Sequence, residues 1–215
     1  MGEATFAEGY GMVETGGGAA AKVSPPFVPL GLGDQLGIPL PGYSFRVVDE
    51  HGDEVRLGAV GQLLLRGPGV LEGYWGDADA TNAVLDDEGW LSTGDLVRRG
   101  PMGTFSFQGR EKAVIKSGGF SVYPPEVERV IEQHPEVVEA GVVGLPDDKF
   151  GEVPAVAVRL VDSATVTSAQ LLAWMGTRLS DYKTPRRVFI VDDLPRTGTN
   201  KLQRSELVER LRDRD

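Results

Sequence analysis

The chain has 215 residues, with 22 basic and 32 acidic side chains, a net charge of −10, 29 glycines, 14 prolines and no cysteine. That acidity argues against a nucleic-acid binder held mainly by phosphate contacts, and the lack of cysteine excludes disulfides, thiolate metal sites and a thiol nucleophile. With 40% hydrophobic residues it can bury a core, but no apolar run approaches the roughly 18 residues a membrane span needs.

The charge and glycine content change along the chain. Residues 1–109 carry 22 of the glycines, 6 basic and 15 acidic residues, whereas residues 110–215 carry 16 basic and 17 acidic residues. A domain boundary is expected near Gly109–Lys112. In the first part, residues 43–49 and 60–66 flank a Gly/Asp turn and predict a hairpin, as do 96–99 and 104–108 around Gly100–Gly103. Residues 78–85 are the one helical stretch expected there. In the second part, Pro125–Gln133 predicts a helix with Val127, Val130 and Ile131 on one face. Strands follow at 137–144 and 153–161. Thr167 and Gln170 have capping-box spacing before a helix that turns Leu171, Leu172, Met175 and Leu179 inward. A strand at 187–191 and a helix at 205–212 complete the order. The fold class expected is α/β (α+β), strand-rich at first, then a small α/β domain with a central sheet flanked by helices.

Gly31–Gly37 imitates a dinucleotide loop, but its last spacing is wrong and Ile38-Pro39-Leu40-Pro41 leaves no helix to receive a pyrophosphate. No Walker-type phosphate loop is present. The two histidines, His51 and His134, are too few for a His-rich metal site. The N-terminus lacks the regions of a secretory signal, and Phe6 stands where a myristoylation signal needs Ser or Thr, so a cytoplasmic protein is expected.

Four segments are more specific together: Tyr10–Thr15 (YGMVET), Gly89–Asp95 (GWLSTGD), Gly109–Gly119 (GREKAVIKSGG) and Pro195–Lys201 (PRTGTNK). With Gly61–Gly67, Gly73-Tyr74-Trp75 and Val122–Glu128, their order and spacing resemble the adenylate-forming superfamily over essentially the whole chain. Within it the chain is most like fatty-acid–CoA ligases. The resemblance implies ATP- and Mg²⁺-dependent conversion of a carboxylate to an acyl-adenylate, then transfer to the thiol of CoA. Two anions must meet in that reaction, so cationic donors and a metal have to offset their repulsion.

Carried over position by position, the resemblance makes Lys201 the catalytic lysine, bridging carboxylate and phosphate. Asp95 would accept the ribose hydroxyls of ATP or AMP, and Arg110 would bind ribose or phosphate. Glu14 would be the catalytic Mg²⁺ carboxylate. Tyr10 would lie near the adenine. Lys112 matches the hinge of the C-terminal domain, and Lys116, Gly118 and Gly119 would face CoA. Val13 replaces the usual Thr, so a hydroxyl for the α-phosphate is missing and Thr15 is the candidate to supply it. Asn200 stands where Gly is usual and tolerates positive φ. Each residue also admits a plain reading: Lys201 as a solvated lysine, Asp95 as a turn cap, Arg110 as half of an interdomain salt bridge, Glu14 as an exposed acid, Tyr10 as a core residue, Gly118-Gly119 as a hairpin tip.

The family's Ser/Thr/Gly-rich phosphate loop and most of its acyl pocket have no counterpart in these residues. The expectation is therefore a C-terminal portion of a longer synthetase: 1–109 the β-rich end of the AMP-binding domain, 110–215 the mobile C-terminal domain. It is expected to be inactive without the missing N-terminal region. Its partners would be a small carboxylate, expected to be a fatty acid, together with ATP and CoA. A free-standing, non-catalytic module binding a nucleotide, CoA or a partner subunit is the alternative.

Overall fold

In the computed structural model, residues 6–24 and 35–212 are described. The chain divides into two compact units, Met1–Glu111 and Lys112–Asp215. The mixed α/β architecture expected from the sequence is present, rich in strands and with few helices.

The first unit is built from antiparallel hairpins. Strands β1 (Phe6–Met12) and β2 (Gly17–Ser24) pair around a single 3-10 turn at Val13–Thr15, and β3 (Ile38–Pro39) adds to β2. This sheet was not expected; its glycines and alanines carry little strand propensity. Gly31–Asp34 of the imitation dinucleotide loop lie outside the described residues, and the chain after it continues as β3, not a helix. The second sheet runs β4 (Ser44–Val48), β5 (Val60–Arg66), β6 (Leu91–Arg99) and β7 (Phe105–Arg110) in sequence order. Both predicted hairpins are in it. Period-2 alternation in β5 buries Leu63 and Leu65, which meet Val47, Val97 and Leu91 in the core. Helix α1 (Ala78–Asn82), capped by Asp77, is shorter than the predicted 78–85.

The second unit begins with a tight hairpin, β8 (Ile115–Ser117) and β9 (Phe120–Val122), joined by Gly118 and Gly119 with φ of 56° and 86°. Two successive positive φ values define a turn that only glycine adopts cheaply. Helix α2 (Pro124–Ile131) opens on proline and buries Val127 and Ile131. The long strands β10 (Val137–Asp147) and β11 (Gly151–Leu160) follow, then α3 (Ser168–Gly176), β12 (Arg187–Ile190) and α4 (Arg204–Arg212). The predicted capping box of α3 forms, Gln170 Oε1 accepting from Thr167 N at 2.8 Å.

The sheet order is β10-β11-β8-β9, with β12 parallel to β11. Alternation along β11 splits the core. Val156 and Val158 join Val127, Ile131, Leu171 and Met175, while Ala155 and Ala157 face Leu207 and Leu211. Each fully buried aliphatic side chain contributes about 1.5–3 kcal/mol. The outer side of β10 has no neighbouring strand among the described residues. Instead Glu132 accepts from Ala140 N at 3.2 Å, Glu128 accepts from Val142 N at 2.8 Å, and Arg204 donates to Val142 O at 2.7 Å. No described helix is long and apolar enough to cross a membrane.

Candidate functional site

In the first unit, pairing of β6 with β7 sets Asp95 opposite Arg110. Asp95 is buried, its side chain 6% exposed. Its Oδ2 accepts from the Tyr10 hydroxyl at 2.7 Å, and its backbone N–H donates to Thr93 Oγ1 at 3.1 Å. Thr93 in turn donates to Leu63 O. Arg110 Nε lies 3.2 Å from Oδ1, an ion-pair distance. The N–H is not aimed at it, so Oδ1 has no hydrogen-bond partner among the described residues. A buried carboxylate oxygen without a donor costs free energy. Burial and the Asp95 charge push the Tyr10 phenol well above its ordinary range, so it stays a donor. Tyr10 is thus engaged through its hydroxyl with Asp95, 85 residues away.

The turn after β1 presents the next group. Thr15 is buried, its Oγ1 within hydrogen-bonding distance of Met12 O at 2.9 Å and Gly17 O at 2.6 Å while accepting from Met12 N at 3.0 Å. That hydroxyl is committed to closing the turn. Val13 is 92% exposed. Glu14 is half-buried, and its Oε1 accepts from the Tyr74 hydroxyl at 2.9 Å. This bond raises the Tyr74 phenol above its ordinary range. An open groove of about 520 Å³ runs past Tyr10, Met12 and Val13 between Gly9, Gly11, Gly17 and Gly18. No cluster of three or more His, Cys, Asp or Glu able to hold a metal exists among the described residues. Glu14, hydrogen-bonded among the described residues through Oε1 alone, suits Mg²⁺, which takes few protein ligands and completes its shell with phosphate oxygens and water.

In the second unit, Lys112 is exposed within a 3-10 turn, Glu111–Ala113. Lys116 donates to Ser121 Oγ at 2.9 Å across the β8–β9 hairpin. At its tip, Gly118 N–H donates to Phe150 O at 3.0 Å, and Phe120 stacks on Tyr182 at 4.7 Å. Lys201 is exposed, with no side-chain partner among the described residues. It ends a turn in which Asn200 has a φ of 64°. Thr197 N donates to Lys201 O at 2.8 Å, and Lys201 N donates to Thr197 Oγ1 at 3.2 Å.

The structure therefore brings Tyr10, Asp95 and Arg110 together and places Glu14 beside Tyr74. Thr93 and Tyr74 had no role assigned from the sequence. Tyr74 lies within the Gly73-Tyr74-Trp75 motif, but nothing in its spacing points to a partner 60 residues earlier.

Two family models match this chain: AMP-binding enzyme over residues 1–75, and AMP-binding enzyme C-terminal domain over 126–201. The chain belongs to the adenylate-forming superfamily of AMP-binding enzymes. Its curated relatives include acyl-CoA ligases. A long-chain-fatty-acid–CoA ligase of Yersinia pestis is 37% identical over 93% of this chain and 35% of its own length. A feruloyl-CoA synthase of an Amycolatopsis species is 37% identical over 96% of this chain and 41% of its own. Among solved structures, ATP-bound MatB from Rhodopseudomonas palustris has a TM-score of 0.88 at 36% identity, covering 96% of this chain and 41% of that one. The chain thus spans a little over a third of the length of such relatives.

Proposed function

We propose that this chain is the C-terminal portion of an ATP-dependent acid–thiol ligase acting on fatty acids. In this reading 1–109 closes the AMP-binding domain and 110–215 is the mobile C-terminal domain, with Lys112 as the hinge. The observation that carries the reading is the buried Asp95 carboxylate, with the Tyr10 hydroxyl on one oxygen and Arg110 beside the other. Two carboxylate oxygens suit a vicinal diol such as the ribose of ATP or AMP.

In the first half-reaction a substrate carboxylate oxygen attacks the α-phosphorus of ATP, and pyrophosphate leaves. Asp95 and Arg110 anchor the nucleoside, and Lys201 offsets the charge shared by carboxylate and α-phosphate. Glu14, oriented by Tyr74, would hold Mg²⁺, which supplies charge neutralisation at the phosphates. In the second half-reaction the CoA thiol displaces AMP to form the thioester. Gly119, with nothing within 4 Å of where a Cβ would stand, leaves room for a thin pantetheine arm beside Lys116, while Gly118 makes the turn against Phe150. Thr15 supports Glu14 by holding the turn, and Val13 offers the α-phosphate no donor. The chemistry is proposed for the cytoplasm.

These residues lack the family's phosphate loop, so the chain by itself is expected to make no acyl-adenylate. Pyrophosphate release measured across a fatty-acid series, with the chain alone and with an added N-terminal region, tests this. Release only in the mixture supports the proposal. Robust turnover by the chain alone contradicts the inactivity. AMP or CoA binding in a calorimeter without rescue of turnover would favour a non-catalytic binding module.

A further inference from the structure

Lys201 sits on a turn that two residues outside the reaction help tie to β10. Glu139 lies on β10 where its pairing with β11 is irregular, and its side chain is 19% exposed. Its Oε1 accepts from Arg159 Nε at 2.7 Å, and its Oε2 is paired with Arg196 Nη2. The other terminal nitrogen of Arg196 donates to Asn200 O at 2.9 Å. One planar guanidinium thus joins a carboxylate on the sheet to the carbonyl just before Lys201. On the far side, Leu202 packs against the core shared by Val143 and Leu207. Gly141 admits it: a Cβ there would come within 3.0 Å of Leu202 Cδ2. The bridge between Arg196 and Leu202 and the bond from Gln203 N to Pro195 O close the hairpin. The backbone on both sides of Lys201 is therefore held to β10, while its ammonium group has no partner among the described residues.

We propose that Arg196 and Glu139 are positioning residues for Lys201, holding the Asn200 carbonyl so that the lysine leaves the turn in one direction. The proposal rests on the reading of Lys201 as the adenylation lysine. A lysine at 196 could reach Glu139 or Asn200 O but lacks the rigid fork that serves both. A displacement of about 1 Å at a reacting group costs on the order of 10²-fold in rate, so a modest loosening of the turn is enough to matter.

Two readouts test it. The first is amide hydrogen exchange on the 215-residue chain carrying Arg196→Lys, Arg196→Ala or Glu139→Gln. The expected result is exchange at Asn200 and Lys201 roughly tenfold faster or more, consistent with losing a charge-assisted bond, with Val156 and Val158 unchanged as proof of folding. The second is the two half-reactions in the synthetase carrying this chain. Arg196→Lys should lower kcat for adenylation by about 10- to 100-fold, with little change in KM for ATP. Thioester formation from supplied acyl-adenylate should hold. Unchanged exchange at Asn200 and Lys201 overturns the proposal. So does faster exchange with full adenylation in an enzyme that Lys201→Ala inactivates. If Lys201→Ala leaves adenylation intact, the reading of Lys201 fails first and takes the positioning role with it.

Discussion

Replacing Arg204 with alanine should destabilise the second unit by about 2–3 kcal/mol. Arg204 begins α4 and grips Glu128 of α2 with both terminal nitrogens, at 2.6 and 3.0 Å, while donating to Val142 O at 2.7 Å. The two side chains are 30% and 14% exposed. Breaking a fully buried pair costs about 3–5 kcal/mol, and an exposed pair contributes about 0–1 kcal/mol. This pair lies between those limits, nearer the buried one because Glu128 would keep only Val142 N as a donor. Native-state hydrogen exchange at Val156 and Val158, buried in β11, reports opening of this unit. The expected acceleration is about 30- to 150-fold, since roughly 1.4 kcal/mol corresponds to a factor of ten. Arg204→Lys should recover part of the loss, keeping the charge without the fork. A double-mutant cycle with Glu128→Gln should give a coupling of about 1–3 kcal/mol. A change below about 0.5 kcal/mol for Arg204→Ala, the range of ordinary surface substitutions, would refute the reasoning.

Lys201→Ala in the full synthetase should abolish adenylation and largely spare thioester formation from supplied acyl-adenylate; equal loss of both steps, measured separately, would contradict the assignment. Tyr10→Phe removes the donor to Asp95 Oδ2 and should cost the first unit about 1–3 kcal/mol, read as a lower urea midpoint; an unchanged midpoint would show that this bond adds nothing. Glu139 titrates below the ordinary glutamate value of 4.5: burial opposes the shift, but the hydrogen bonds and charges of Arg159 and Arg196 outweigh it. A depressed carboxyl stabilises the fold above its unfolded value, and that contribution is lost as pH falls through the folded value. The difference in thermal midpoint between wild type and Glu139→Gln should therefore shrink below about pH 4.5, and a constant difference would count against the pairing.

The second unit was largely legible because local signals and burial agree. Proline opens α2, Thr167 and Gln170 cap α3, and the apolar runs of β10 and β11 are buried on both faces. The ends were harder to place. Gln133 and His134 leave the helix through i to i−3 bonds to Val130 and Ile131, which the hydrophobic period does not register. The β1–β2 hairpin was missed because Gly17-Gly18-Ala19-Ala20 has neither branched side chains nor alternation, and pairing alone makes it a strand. The motifs pointed to Asp95 and Glu14, but not to the hydrogen bonds from Tyr10 and Tyr74 that fix them. Those contacts depend on how the hairpins come together, and no local spacing encodes them.

The outer side of β10, where side chains take the place of a neighbouring strand, has a consequence for how copies of this chain meet. A long strand with open N–H and C=O groups is a template on which another strand can grow. Glu132 and Glu128 occupy the places where a neighbour's carbonyls would accept, and Arg204 occupies the place of its N–H. An incoming strand would have to displace two carboxylates and a guanidinium, and would meet negative charge where it needs a partner. The same side chains that tie α2 and α4 to the sheet thus stand where a strand of a second chain would have to pair.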